Sequence, residues 1–347
     1  MKIQNLTNDK YNDYIKFNSK AYPHRTNLEE RFNFQFIQNP LLLDKAQTFS
    51  LLAYNEEGDI IGEYGVNPFR YHFNNKLIPC FCGCDLFVVE QYRPKGIGSL
   101  LSIKAIKTYK PHISIGISKD AYPILSVLKM KEIGEVYIYL WLRSISGFFQ
   151  GALSFVSKGK LTKKNKPKKI SIFPRQLSVN NISFEEINDL REWDEQCFDS
   201  DVFEFSRSVD FINWRFSSIQ NYHLYISQFG KNKTYFVVKE IYWKGMHLLA
   251  LVDYRISIKE EDKKKEMFNS ILKATKIISK HINCHGVVTM SSHSFFDQCL
   301  GNNLFSKVGR PYIMMVNGDL DFQIEEIIER KTAYITMADS DLEFAFN

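Results

Sequence analysis

Between Cys82 and Ile106 the chain reads as a β-rich apolar run, then Arg93-Pro94-Lys95-Gly96-Ile97-Gly98-Ser99, then a helical pattern carried by Leu100, Leu101, Ile103 and Ile106. Strand, glycine loop and helix in that order form a cradle for an anion such as a phosphate. Glycines at 96 and 98 let backbone N–H groups approach an anion with no Cβ in the way, and the following helix presents about half a unit of positive charge at its N-terminus. Arg93 and Lys95 add full charges. The loop lacks the third glycine and downstream acid of the dinucleotide fingerprint, and the Gly-Lys-Ser/Thr of a P-loop. A tight turn with no ligand is the plainer alternative. Two upstream carboxylates could accept a proton: Glu63, between glycines in the apolar strand Ile61-Gly62-Glu63-Tyr64-Gly65, and Asp85, which interrupts the run before the loop. A solvent-facing strand position is the competing reading of Glu63.

In this setting Arg-x-x-Gly-x-Gly resembles the acyl-CoA pyrophosphate loop of the GNAT N-acetyltransferase superfamily. The resemblance implies acetyl-CoA or another acyl-CoA as co-substrate, with no metal. It further implies that the strand before the loop splays from its neighbour and offers backbone groups to pantetheine, by position those of Leu86, Phe87 and Val88. Backbone amides from Lys95 through Gly96, Ile97, Gly98 and Ser99 would hold the pyrophosphate, and Arg93 or Lys95 the adenosine phosphate. Many members also place a tyrosine general acid one helical turn before the glycine that ends the helix after the fifth strand. Counting back from Gly134 reaches Met130 instead. Tyr122 on the same expected helix, or Tyr137 beyond it, could substitute, and a CoA thiolate can also leave without a dedicated acid.

The elements needed to position these residues are legible in outline. Helical patterns at Lys10–Ala21 and Asn27–Gln38 precede strands at Thr48–Tyr54, Ile60–Phe73 and Leu77–Val89. A helix at Ser99–Tyr109, a strand at His112–Ile117, a helix from Asp120 to Glu132 and a strand at Glu135–Leu142 follow. The second half repeats the order: helices near Phe184–Cys197 and Ser208–Phe216, strands at His223–Gln228, Thr234–Tyr242 and His247–Ile256, a helix at Glu261–His281, a strand at Gly286–Ser291, a helix at Phe295–Asn302 and a strand at Pro311–Val316. Phe32-Asn33-Phe34-Gln35-Phe36 is echoed by Ile212-Asn213-Trp214-Arg215-Phe216. The expected class is α/β (α+β), with two GNAT-like domains, each a mixed, mostly antiparallel sheet flanked by helices. The expected divisions are an acyl-CoA-binding domain at 1–156, a basic linker at 157–175, a degenerate second domain at 176–320 and a C-terminal extension at 321–347. Where the first half has its glycine loop, the second reads Ser257-Ile258-Lys259-Glu260-Glu261-Asp262-Lys263, which has no glycine and carries three carboxylates. Acids there would repel a pyrophosphate, so donor binding is expected in the first half only.

A length of 347 residues suits two cores, and 44% apolar with 14% aromatic content is that of a globular chain. A formal net charge of +6 permits an anionic partner without selecting one. No apolar run reaches the roughly 20 residues that span a bilayer. The polar start MKIQNLTNDKYNDY lacks a signal-peptide core, so a cytoplasmic location is expected. Cys80, Cys82 and Cys84 recur with period two and read as one face of a strand rather than a zinc site. Ile145, Phe148, Phe149, Ala152, Leu153 and Val156 fall at helical spacing before a lysine-rich run. That pattern permits peripheral contact with the inner membrane face through 145–169, and a connecting helix with a solvated linker is the plainer reading. No His-Glu-x-x-His or Gly-x-Ser-x-Gly motif occurs, and the aromatics do not interleave with basic residues as in an RNA-binding sheet, so no specific nucleic acid is expected.

The expectation is therefore an acyl-CoA-dependent N-acyltransferase acting on a small amine. Resemblance to tandem GNAT proteins with Asn-Trp-Arg-Phe-like segments points to an amino sugar of surface polysaccharide. A Fem-type aminoacyl-tRNA-dependent ligase and a non-catalytic CoA-binding scaffold are the alternatives. The sequence does not disclose an oligomeric state.

Overall fold

A computed structural model describes the chain except for residues 24, 26, 43–46, 118, 144–170, 194–201, 218–220, 230–231, 244, 309–311, 318–332 and 341–347. The described residues form two compact units, each a mixed sheet flanked by helices. The elements of the first half are β1 (Lys2–Thr7), α1 (Tyr11–Ala21), α2 (Leu28–Phe32), β2 (Gln47–Tyr54), β3 (Ile60–Phe73), β4 (Lys76–Val88), α3 (Ile97–Thr108), β5 (His112–Ile115), α4 (Ala121–Val127) and β6 (Met130–Leu142).

In the first unit β1, β2, β3 and β4 pair antiparallel in that order, and β5 joins β4 in parallel across α3. Asn74 and Asn75, both with positive φ, close the β3–β4 hairpin in the two-residue turn that suits strand twist. Strand alternation sends successive residues to opposite faces. Leu51 and Ala53 pack with Ile97, Leu101 and Ala105 of α3, while Leu52 and Tyr54 pack with Tyr14 of α1 and Phe32 of α2. The sheet is thus clamped between α3 and the α1–α2 pair.

The remaining elements are β7 (Gln176–Val179), β8 (Ile182–Ile187), β9 (Phe203–Phe205), α5 (Val209–Ser217), β10 (Tyr222–Phe229), β11 (Asn232–Trp243), β12 (Met246–Ile256), α6 (Glu261–His281), β13 (Gly286–Ser291), α7 (Ser294–Asn302), β14 (Ser306–Lys307), β15 (Tyr312–Asn317) and β16 (Ala333–Tyr334). The second-unit sheet runs β7, β8, β10, β11 and β12 antiparallel, then β13 parallel to β12 across α6.

The division into units departs from the linear one expected from sequence. β6 follows the first-half elements but pairs with β13 of the second unit, Thr289 opposite Tyr139. β15 follows the second-half elements but pairs with β5 of the first, Met314 opposite Ile115. The short β9 also belongs to the first unit, on β3. Each sheet therefore gains an antiparallel strand from the other half of the chain. Residues 333–340 are not an extension: Tyr334, Thr336 and Asp339 are buried in the second unit. The segment 145–169 and most of the expected linker lie outside the described residues.

Two expected helices differ. The one expected over 120–132 stops at Val127, because Lys129 turns left-handed at φ 62 and the chain re-enters as β6 at Met130. Phe184 lies not in a helix but in β8, the second arm of a hairpin turned by Asn180 and Asn181, both at positive φ. Cys80 and Cys82 are buried on β4, in keeping with a strand face. Among the described residues no helix is long and apolar enough to cross a membrane.

Candidate active site

The site begins at a bulge. Glu63 pairs with Phe87 and Gly65 with Cys84, so Asp85 and Leu86 together stand opposite Tyr64. Asp85 takes the left-handed conformation, φ 47, as the first residue of a G1-type bulge does. Gly65 allows the strands to close on it: a Cβ there would lie 2.7 Å from Cys84 Sγ. On its other edge β4 pairs with β5 only from Phe81 to Gly83, where Gly83 meets Ser114. Beyond that point the ladder between the two strands stops, beside Leu86, Phe87 and Val88.

Two buried carboxylates flank the bulge, in opposite electrostatic states. Glu63 is 2% exposed and accepts a 2.8 Å hydrogen bond from Asn18 Nδ2 of α1. Burial pushes its carboxyl up, the negative charge of Asp85 adds to this, and the Asn18 and Tyr22 hydrogen bonds only partly oppose it, leaving it at about 8. Asp85 is pushed up by burial too, but the Arg31 and Arg25 guanidiniums outweigh that and hold it below the usual carboxylate range. Arg25 Nη2 reaches Asp85 Oδ1 at 2.5 Å and Arg31 Nη2 reaches Oδ2 at 3.1 Å. Arg25 also lies 3.6 Å from the centre of the Tyr22 ring. Asp85 is thus an ion-paired carboxylate held low, whereas Glu63 is raised by burial to about 8.

The chain leaves β4 through a 3₁₀ turn, Glu90–Lys95, and enters α3 through Gly96, whose φ of 72 and ψ of 18 are left-handed. No side chain caps α3. Leu100 N is the first to bond back, to Gly96 O at 3.1 Å. The N–H groups of Ile97, Gly98 and Ser99 in the first turn therefore have no acceptor within the helix. A Cβ at Gly98 would meet only Val88 Cγ2, at 3.6 Å, so the backbone there is open to an anion. Arg93 Nε donates to Val88 O at 3.0 Å, pinning the loop to the end of β4, and Arg93 and Lys95 are both exposed. These residues fit a pyrophosphate. A cleft of about 610 Å³ adjoins the loop, bounded by Phe17, Lys20, Ile61, Phe87, Tyr92 and Arg93.

Glu63, Asp85, Leu86, Phe87, Val88, Arg93 and the loop from Lys95 to Ser99 thus gather at one end of β4. Tyr122 stands apart from them. It sits on α4, where its hydroxyl donates to Glu132 Oε1 at 2.5 Å and its ring packs against Ile106, Leu125 and Met130. Because Met130 is in a strand, counting a helical turn back from Gly134 has no meaning here. Tyr137 lies in the second unit with the Lys307 ammonium 3.7 Å over its ring. Sequence reasoning missed Asn18, Tyr22, Arg25 and Arg31. The available signal was Asn18 on the same buried face of α1 as Tyr14 and Phe17.

No protein-family model matches the chain, and no curated protein matches it. Solved structures do resemble it. The N-myristoyltransferase of Saccharomyces cerevisiae with bound myristoyl-CoA is 10% identical with a TM-score of 0.58, over 91% of this chain and 78% of that one. A GCN5-related N-acetyltransferase from Anabaena variabilis is 10% identical with a TM-score of 0.54, over 90% of this chain and 72% of the other. Coverage of that extent takes in residues of both units. At such identity the likeness is one of fold, and the fold is GNAT-like.

Proposed function

We propose that the chain is an acyl-CoA-dependent N-acyltransferase whose first unit takes acetyl-CoA, or another acyl-CoA, and acylates a small amine, with an amino sugar as the acceptor class. The carrying observation is that an uncapped, glycine-opened helix N-terminus and a buried carboxylate titrating near 8 occur together at one end of β4. The co-substrate supplies an acyl group activated as a thioester. The amides of Ile97, Gly98 and Ser99 hold its pyrophosphate, Arg93 and Lys95 reach the adenosine phosphate, and the β4 edge at Leu86–Val88 aligns the pantetheine. Glu63 takes a proton from the acceptor ammonium, and the neutral amine can then attack the carbonyl carbon. A general base works best with a pKa near that of its task. The N–C bond forms, the C–S bond breaks, the proton remaining on the attacking nitrogen passes through solvent to the departing thiolate, and CoA leaves as the thiol without needing Tyr122.

The test is ligand-induced stabilisation. Acetyl-CoA at 100 times its dissociation constant is expected to stabilise the protein by about 2.7 kcal/mol. Gly98→Asp should abolish that gain while leaving the unliganded melting curve close to the wild type. An unchanged wild-type curve at millimolar acetyl-CoA would overturn the proposal. If binding is seen, thiol release across a panel of amines and amino sugars separates an enzyme from a scaffold.

A further inference from the structure

Three donors of different chemistry converge in the second unit. Glu240 on β11, His247 on β12 and Cys284 in the turn between α6 and β13 each offer one ligand atom, and these atoms lie within 4.8 Å of one another. His247 Nε2 is 3.2 Å from Glu240 Oε1 and 3.5 Å from Cys284 Sγ. Zinc bonds of about 2.0–2.2 Å to N and O and about 2.3 Å to S, at tetrahedral angles, imply edges of roughly 3.4 Å for N···O and 3.5 Å for N···S. The two edges at His247 match that tetrahedron, and the third, between Glu240 and Cys284, is no longer than 4.8 Å.

We propose that Glu240, His247 and Cys284 bind a divalent zinc-like cation, with water as the fourth ligand, at the end of the β11–β12 hairpin. Both partners of His247 approach the same nitrogen. A nucleophile–base–acid relay needs one partner on each ring nitrogen, whereas convergence on a shared point is what coordination requires. A thiolate and a carboxylate neutralise a divalent charge in a half-buried position, and binding releases the thiol proton to solvent. The thiolate and imidazole favour zinc over magnesium or calcium.

The donors are already held in place. Tyr242 stacks on the His247 ring at 5.0 Å and 10°, and the Ser171 hydroxyl donates to Glu240 Oε1. His285 N donates to His247 O at 2.8 Å, while His247 N donates to His285 Nδ1 at 3.0 Å, so the turn carrying Cys284 is tied to β12. The sequence expectation of no metal follows from the family resemblance, the strand-face reading of Cys80, Cys82 and Cys84, and the lack of a His-Glu-x-x-His motif, none of which involves Cys284. The partners lie on the hairpin, with His247 37 residues upstream of Cys284 and 7 downstream of Glu240.

The test uses the full chain, stripped with a chelator and titrated with CoCl2 and then ZnCl2. One equivalent of cobalt should give a thiolate-to-metal charge-transfer band and the strong visible bands of a four-coordinate ion, both removed by zinc. Cys284→Ser should delete the charge-transfer band and weaken zinc binding by more than about tenfold, a loss at least as large as that of an outer-shell partner; Glu240→Gln should weaken zinc binding likewise, and Cys299→Ser should change neither. Because Cys284 is buried and its variant could misfold, zinc-edge X-ray absorption on the unaltered protein is the second measurement, with one sulfur and three N/O ligands expected. Failure to bind one equivalent, a shell without sulfur, or a cobalt band that survives Cys284→Ser would overturn the site.

Discussion

The crossovers β4–α3–β5 of the first unit and β12–α6–β13 of the second run through the same steps until they reach the helix. In β12, as in β4, one extra residue makes a bulge: Val237 pairs with Asp253 and Val238 with Leu251, leaving Val252 over. In both, the parallel ladder ends beside the bulge, at Gly83 with Ser114 and at Leu251 with Thr289. Each bulge also carries a buried aspartate gripped by two arginines. Asp253 receives Arg207 Nε at 2.8 Å and Arg255 Nη1 at 3.1 Å. Then the two part. α3 opens on left-handed Gly96 and has Gly98 at its second position; α6 opens on extended Glu260 and has Asp262 there. Two residues past the bulge aspartate, Phe87 pairs with Glu63 in the first unit, and Arg255 pairs with Tyr235 in the second. The bulge and its Asp–Arg cluster thus belong to the architecture. Among the described residues, the open helix end and the titrating carboxylate occur together in the first unit and not in the second.

The largest effect expected from that contrast is on turnover. Glu63→Gln should lower kcat by about 10²–10⁴-fold, the usual worth of a general base, with the KM for acetyl-CoA little changed. The wild-type rate should rise with pH through about 8 as Glu63 ionises, and the variant should lose that limb. Linkage gives a second readout. A carboxyl raised on folding binds its proton more tightly in the native state, so its contribution to stability is full below the ordinary carboxylate value and is lost as pH rises through about 8. Glu63→Gln should flatten stability across that window. A variant with unaltered kcat and pH profile would leave Glu63 a buried structural acid, and the two crossovers would then differ only at the loop.

Next in size is the cost of opening an aspartate cluster. Removing one partner from a buried ion pair costs about 3–5 kcal/mol. Asp253→Asn should fall in that range in urea unfolding, because Arg207 and Arg255 are fully buried and Tyr235 and Thr336 also donate to Asp253. Asp85→Asn should cost less, since Arg25 and Arg31 are 11% and 12% exposed and can recover water. Burial raises Asp253, but Arg207 and Arg255 overcome it and hold the carboxyl at about 2. Its stabilisation is therefore present above the ordinary carboxylate value and lost as pH falls toward 2. A stable Asp85→Asn protein with kcat down a hundredfold would make Asp85 the base and end the equivalence of the two clusters.

Much of this was readable before any coordinates. β3, α6 and β13 match their sequence boundaries because long apolar periodicity flanked by turn residues leaves little competition. Glu63 and the glycine loop stood out because each breaks a local pattern. The β7–β8 hairpin was missed although Asn180-Asn181 between two short runs is a hairpin signal. The strands β6 and β15 are legible, but their exchange between the halves left no trace, since pairing choice between distant segments is a tertiary matter. The ion-paired state of Asp85 is hidden for the same reason. An aspartate in an apolar strand looks catalytic until Arg25 and Arg31, which come from α2 and the segment before it, are seen against it.

The smallest effect sharpens the comparison at the helix that follows each crossover. Tyr122 is the second residue of α4, and the second residue of α7 is Phe295. Tyr122→Phe therefore gives the first unit the residue already present at that position in the second. The hydroxyl is solvent-exposed and its one acceptor, Glu132, remains hydrated without it. The ring still packs against Ile106, Leu125 and Met130. The midpoint of thermal unfolding and kcat should both stay at wild-type values, measured with the same amine that serves for Glu63→Gln. A tenfold loss of kcat with an unchanged melting curve would return the role of general acid to Tyr122. It would also require α4 to approach the thiolate during turnover, a motion for which α7 with its phenylalanine has no counterpart.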